Sequence, residues 1–177
     1  MDGLAVSSHL KREAIVGRLL GKLVLNLNVS DKLCNRLAQL LEDNRPELVT
    51  RYQQVMREAM FNGRSTIRPN MLKKVASDEV AAFSDFMSQS QRNALERGVQ
   101  LHQAGLSEQP LLRMGQVTRQ FFVKHLEKDE IPPTLELIDT YQEQVVQGFV
   151  QSLETAVFNV QERTRHAFER VVNRDRP

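Results

Sequence analysis

The sequence predicts an all-α protein: a helical bundle closed by one long C-terminal helix. Three observations carry this. Apolar residues recur at intervals of three and four along nearly the whole chain, the signature of one helix face. Helix start and stop residues (Ser30, Asn44 with Pro46, Gly63 with Pro69, Gly105 with Ser107) fall between the periodic stretches. The last stretch, residues 133–172, has no proline after Pro133 and only Gly148 as a weak point. No alternating run reads as a strand.

Taken in order, residues 8–28 repeat Ile15, Leu19, Leu23, Val24 and Leu27 on one side and place Lys11, Arg12, Arg18 and Lys22 on the other. This reads as a basic amphipathic helix, suited to packing on the domain or to docking on a partner or membrane surface. Residues 1–29 therefore form an N-terminal amphipathic extension, and residues 30–177 the main domain. Ser30 is a plausible N-cap for a helix through Leu33, Leu37 and Leu41. In "NRPE", Asn44 is placed to accept from the free amides of the next helix. Pro46 sits in its first turn, where a missing N–H costs little, and Glu47 suits the positive helix end. Leu48, Tyr52, Val55, Met56 and Ala59 then share a face.

The stretch "NGRSTIRPN" reads as a loop leading to a short helix over residues 71–76. Ser77, with Asp78 and Glu79 behind it, reads as the cap of a long helix to about Ala104, with Phe83, Phe86, Met87, Ala94, Gly98 and Leu101 facing inward. Gly105 can take positive φ at a C-terminus, and Ser107 reads as the next N-cap, with Pro110 near the start. That helix carries Leu111, Gly115, Thr118 and Phe122 and stops before "KDEIPPT". The final helix would be about 60 Å long. From Phe149 its inner positions approach a coiled-coil seam, with Phe149, Leu153, Ala156 and Val160 as the candidate dimer and signalling positions, although Arg163 interrupts it.

Composition narrows the function classes. With 41% hydrophobic and 26% charged residues, the 177-residue chain is ordinary for one soluble globular domain. A formal charge of +2 gives no ground for nucleic-acid binding. One cysteine, Cys34, forms no intrachain disulfide or multi-cysteine zinc site and suits a reducing cytoplasm. Arg18 and Lys22 break the one apolar run near the N-terminus, so neither a spanning helix nor a signal peptide is expected.

The usual catalytic signatures are not found: the sequence holds no Gly-rich phosphate loop, HExxH, GxSxG or CxxC. The acidic clusters "LLEDN" and "EKDE" read as solvated helix ends, so no enzymatic activity and no metal is expected. Of four histidines, His9 and His166 read as exposed. His102 and His125 lie beside apolar faces of adjacent helices, where an imidazole could serve as an axial ligand to haem.

"EDNRPELVTRYQQVMRE", followed by "ALERGVQLHQAGLSEQPLLRMGQVTRQFFVKHLEK", resembles the N-terminal domain of RsbR-type regulators of the bacterial stressosome. The resemblance covers about Asn44 to Val172. It implies a globin-like, non-haem sensory module that dimerises and passes a signal through its last helix to an output partner such as a STAS domain. Residues before Ser30 would be an extra helix relative to that pattern. The expectation is thus a non-enzymatic, cytoplasmic homodimeric signalling module without cofactor. The rivals are a haem-based gas sensor using His102 or His125, and a helical adaptor docking on a partner or membrane.

Overall fold

The structure, a computed structural model, describes residues 30–63, 65–88 and 93–174, with side chains described to residue 170. The expected N-terminal amphipathic helix lies outside the described residues. Among the described residues the protein is all-α, with six helices and no strand: α1 (Asp31–Asp43), α2 (Arg45–Phe61), α3 (Leu72–Ser88), α4 (Leu95–Gln103), α5 (Glu108–His125) and α6 (Ile131–Arg174). A 3₁₀ turn, Pro69–Met71, leads into α3.

The helix ends show how the sequence signals operate. Ser30 caps α1, its hydroxyl accepting from the Leu33 amide at 3.3 Å. Asn44 does not cap α2 as expected. It is the single residue between α1 and α2, and its side-chain Nδ2 donates to the Leu40 carbonyl at 2.9 Å, closing α1 instead. Pro46 at the second position of α2 removes one of the two amides an N-cap would bind.

Gly105 fulfils its expectation. With φ at +86°, it closes α4 in a Schellman arrangement, Leu106 N donating to Leu101 O at 3.1 Å and Gly105 N to His102 O at 2.9 Å. The carbonyl of Gly105 then accepts from Thr66 N and from Ser65 Oγ, which ties the loop before α3 to this corner. Ser107 precedes α5 but makes no capping bond; Pro110 occupies the third helical position and has no amide to offer.

Two further expectations need correction. The short helix at 71–76 and the Ser77 cap do not exist as separate features, because α3 runs unbroken from Leu72 to Ser88. Its apolar phase (Leu72, Val75, Ala76, Val80, Phe83) passes straight through Ser77, and burial of that face outweighs a weak local start signal. The expected single helix to Ala104 is instead α3 and α4, with Ala94 non-helical at φ −120° and ψ 7°. Asn93 Oδ1 accepts from Leu95 N at 3.0 Å, and Gln144 of α6 accepts from Ala94 N at 2.8 Å, so a side chain from another helix fixes the start of α4.

One hydrophobic core joins all six helices, built on Leu37, Leu48, Met56, Phe83, Phe122 and Leu137 among others. At the α4–α6 contact the two helix backbones meet directly. A Cβ at Gly98 would overlap the Val145 carbonyl and lie 2.6 Å from the Phe149 amide nitrogen; one at Gly148 would overlap the Leu95 carbonyl. Only glycine lets the two backbones touch at both points.

The long C-terminal helix is confirmed and is longer than expected: 44 residues, or about 66 Å. Its first part, through Phe149, supplies one wall of the core, with Leu137, Ile138, Tyr141, Val145 and Phe149 buried. From Val150 to Arg170 every described side chain except Ser152 and Glu162 is exposed. Roughly 30 Å of helix therefore stands clear of the bundle.

Candidate functional site

Two regions carry side chains that a merely well-packed bundle does not require: a polar cluster inside the core, and the projecting part of α6. The internal cluster centres on Glu79, 4% exposed on the buried face of α3. Arg97 of α4 donates from Nε to Glu79 Oε2 at 2.7 Å and from Nη2 to the Val75 carbonyl at 3.1 Å. Tyr141 of α6 donates to Glu79 Oε1 at 3.0 Å. Both carboxylate oxygens thus have a donor, which a charge removed from water requires.

Tyr52 of α2 stands 2.6 Å from Thr118 Oγ1, and Thr118 gives its own proton to the Met114 carbonyl at 2.9 Å. A hydroxyl has one hydrogen, so Tyr52 is the donor of that pair. Burial, and secondly the negative charge of Glu79, hold both phenols above their ordinary pKa. The Thr118 bond opposes this at Tyr52, and the Arg97 charge opposes it at Tyr141.

Tyr52, Glu79, Thr118, Tyr141 and Gln142 share the wall of a cavity of about 20 Å³ with Phe83, Met114 and Gly115. That volume holds one water-sized group. The side chain of Gln142 lies against Gly115, where any Cβ would collide with it, and its buried Oε1 has no hydrogen-bond partner. The phenolic and threonine protons are all committed, and the open Gln142 Oε1 suits a donor such as water.

The histidines singled out from the sequence lie elsewhere. His102 on α4 places Nδ1 2.8 Å from Ser152 Oγ and sets its ring edge-on to Phe149, centroids 5.2 Å apart. His125, at the end of α5, donates from Nδ1 to the Phe121 carbonyl at 2.8 Å and tilts over the Phe121 ring. Neither lines the internal cavity, and that cavity falls far short of the several hundred Å³ typical of a cofactor pocket. Each of the two imidazoles has its Nδ1 engaged within its own chain.

The candidate seam residues are divided by the structure. Phe149 is 3% exposed and belongs to the core of its own bundle. Leu153, Ala156 and Val160 are on the projecting segment and exposed, Leu153 at 38% and Val160 at 62%. Val150, Val157, Phe158 and Phe168 are exposed beside them. Val160, Gln161, Thr164, Arg165, Phe168 and Glu169 border a shallow open groove along the helix.

The Glu79 cluster was missed by the sequence reading, which placed Glu79 in a helix first turn. A signal was present: Glu79 falls on the same three-and-four phase as Val75, Ala76, Val80 and Phe83, and a carboxylate on a buried phase needs a partner. The Arg97 that supplies it is next to Gly98, the residue that brings α4 against α6.

Among the described residues, no helix is long and apolar enough to cross a membrane, and no group of three or more His, Cys, Asp or Glu is placed to hold a metal ion. No family model, curated protein or solved structure matches the chain.

Proposed function

We propose that the protein is a non-enzymatic sensory and dimerisation module that relays a signal along α6 to an output partner. The single observation that carries this reading is the form of α6. One continuous helix begins as a wall of the core and continues roughly 30 Å beyond it with Val150, Leu153, Val157 and Val160 facing solvent. A contiguous apolar stripe on an otherwise charged helix marks an interaction surface. A packed helix that leaves its domain carries any shift or rotation at its base to its tip.

The base of α6 is where such a shift would be felt. Gly98 and Gly148 hold α4 against it, Gln144 fixes the start of α4, and Tyr141 links it to the buried Glu79. The reading agrees with the resemblance to RsbR-type stressosome regulators, which implies a globin-like cytoplasmic dimer with a STAS-type output.

The test is molar mass by light scattering across a concentration series, for the wild type and for Leu153→Asp. The wild type is expected to be a dimer. Burying a lone carboxylate in the stripe should weaken association by about 3 kcal/mol, roughly a hundredfold in Kd. A wild-type monomer at all concentrations, or an unchanged dimer in the variant, would refute the reading.

A further inference from the structure

We propose that the occupant of the exposed α6 stripe is a second copy of this chain, paired in parallel and in register, through a seam that begins at Val150 rather than Phe149. This rests on the dimeric relay proposed above and specifies its interface. Among the exposed residues, Val150, Leu153, Val157, Val160, Thr164 and Ala167 follow one another at intervals of three, four, three, four and three. That is the a/d alternation of a left-handed coiled coil, with Val150, Val157 and Thr164 at a and Leu153, Val160 and Ala167 at d. All three a residues are β-branched and the first d residue is Leu, the combination that favours two parallel strands.

The flanking positions support a second copy in the same direction. In a parallel in-register pair, each g residue faces the e residue five places along the other chain. Ala156 would then face Gln161 of the partner subunit, and Arg163 would face Phe168 of the partner subunit, so no like charges meet. The second pairing also accounts for Phe168, 71% exposed on its own helix and covered by nothing among the described residues. An arginine side chain laid over that ring would bury its stem against the aromatic face and place its cation over the π system. Arg163, which interrupts a seam drawn through Phe149, is thereby placed at the edge of the seam.

The same geometry explains how one helix serves two interfaces. The bundle-facing stripe (Ile138, Tyr141, Val145, Phe149) continues into Ser152, Ala156 and Asn159 and loses its apolar character once the bundle ends. The outward stripe begins one residue later, about 100° around the helix. Each surface is apolar only over the length where it is needed.

Disulfide trapping of single-cysteine variants tests this, using the full chain with Cys34 replaced by Ala. Val157→Cys and Val160→Cys are compared with Ala156→Cys, Phe158→Cys and Asn159→Cys under mild oxidation, with the cross-linked fraction of each read over time on a non-reducing denaturing gel and its oligomeric state by light scattering. All five sites are exposed, so none disturbs the core. Cross-linking several-fold faster at 157 and 160 than at the other three supports the seam and its parallel register. Fastest cross-linking at 156 or 159 overturns the seam. A dimer that cross-links at none of the five overturns the parallel register and leaves the relay reading standing. A wild-type chain that is monomeric removes both.

Discussion

Raising the pH should unfold this protein through its two tyrosines, and the absorbance of tyrosinate should report it directly. Tyr52 and Tyr141 are the only tyrosines in the chain, and there is no tryptophan. Both are buried, and both donate their phenolic proton to a buried acceptor, Thr118 and Glu79 respectively. In the unfolded chain each ionises near its ordinary pKa of about 10. In the folded chain burial and the Glu79 carboxylate hold each higher. The neutral phenol is thus the folded form, and its stabilising contribution is complete below the unfolded pKa. It declines as pH rises from there through the raised folded pKa. Each unit of pH in that window removes about 1.4 kcal/mol per tyrosine, so the pair removes about 2.7 kcal/mol per unit, and roughly 5 kcal/mol by about pH 12. Against a typical stability of about 5–15 kcal/mol, that brings the protein near its unfolding point. The assay is a pH titration followed by tyrosinate absorbance and helical circular dichroism on one sample. The two signals should change together, steeply, with almost no tyrosinate before helix is lost. Tyr52→Phe should halve the tyrosine contribution to the slope. A tyrosinate signal rising near pH 10 while the helix is intact would show that at least one phenol meets solvent, and the description of the core cluster would be wrong.

Two further substitutions probe how the bundle holds α6. Gly98→Ala puts a methyl group inside the contact with the Val145 carbonyl, where the obstacle is backbone. Separating α4 from α6 should cost about 2–4 kcal/mol, as overpacking of a tight core does, and a melting point within two degrees of wild type would contradict the close approach. Glu79→Leu leaves the Arg97 guanidinium, its side chain 11% exposed, without its carboxylate and takes the acceptor from Tyr141. The loss should be about 3–5 kcal/mol in thermal or urea unfolding, and adding Arg97→Met should restore most of it; no recovery in the double variant would mean that the charge pair is not the source.

The fold was largely legible because helix periodicity and the corner at Gly105 are local properties. Leu101, Gly105 and Leu106 make the Schellman turn from residues within one short stretch, and the sequence order is enough to see it. Cap signals were less dependable for an equally physical reason. Asn44 serves two helix ends separated by one residue, and which end receives its amide depends on Pro46 having no N–H to give. Ser107 faces a proline at one of the two positions whose amides an N-cap binds. Ser77 is overridden by an apolar phase that continues past it. In each case the capping group is present in the sequence, and its partner or competitor decides the outcome. The Glu79 cluster was legible only in half: a carboxylate on a buried phase signals a need, while the residues that meet it, Arg97 and Tyr141, come from two other helices and are fixed only when those helices pack.

The two stripes on α6 show how periodicity alone joins positions that lie in different surroundings. Intervals of three and four describe a stripe but do not say which side of the stripe is occupied. Reading inward positions from Ile138 forward gives Phe149, Leu153, Ala156 and Val160, a path that takes Phe149 and Ala156 from the bundle-facing stripe and its continuation and Leu153 and Val160 from the outward one. The structure separates the two, because Phe149 is enclosed by its own chain while Val150 and Val157 are not. This separation coincides with the end of the bundle: His102 bonds Ser152, and beyond that residue no other helix supplies α6 with a hydrogen-bonding partner among the described contacts. Over its first half α6 completes its own core, and its apolar face changes where that core ends. The one-residue step from Phe149 to Val150 makes that change while leaving the helix continuous, so any rotation of α6 against Gly98 would turn both stripes together.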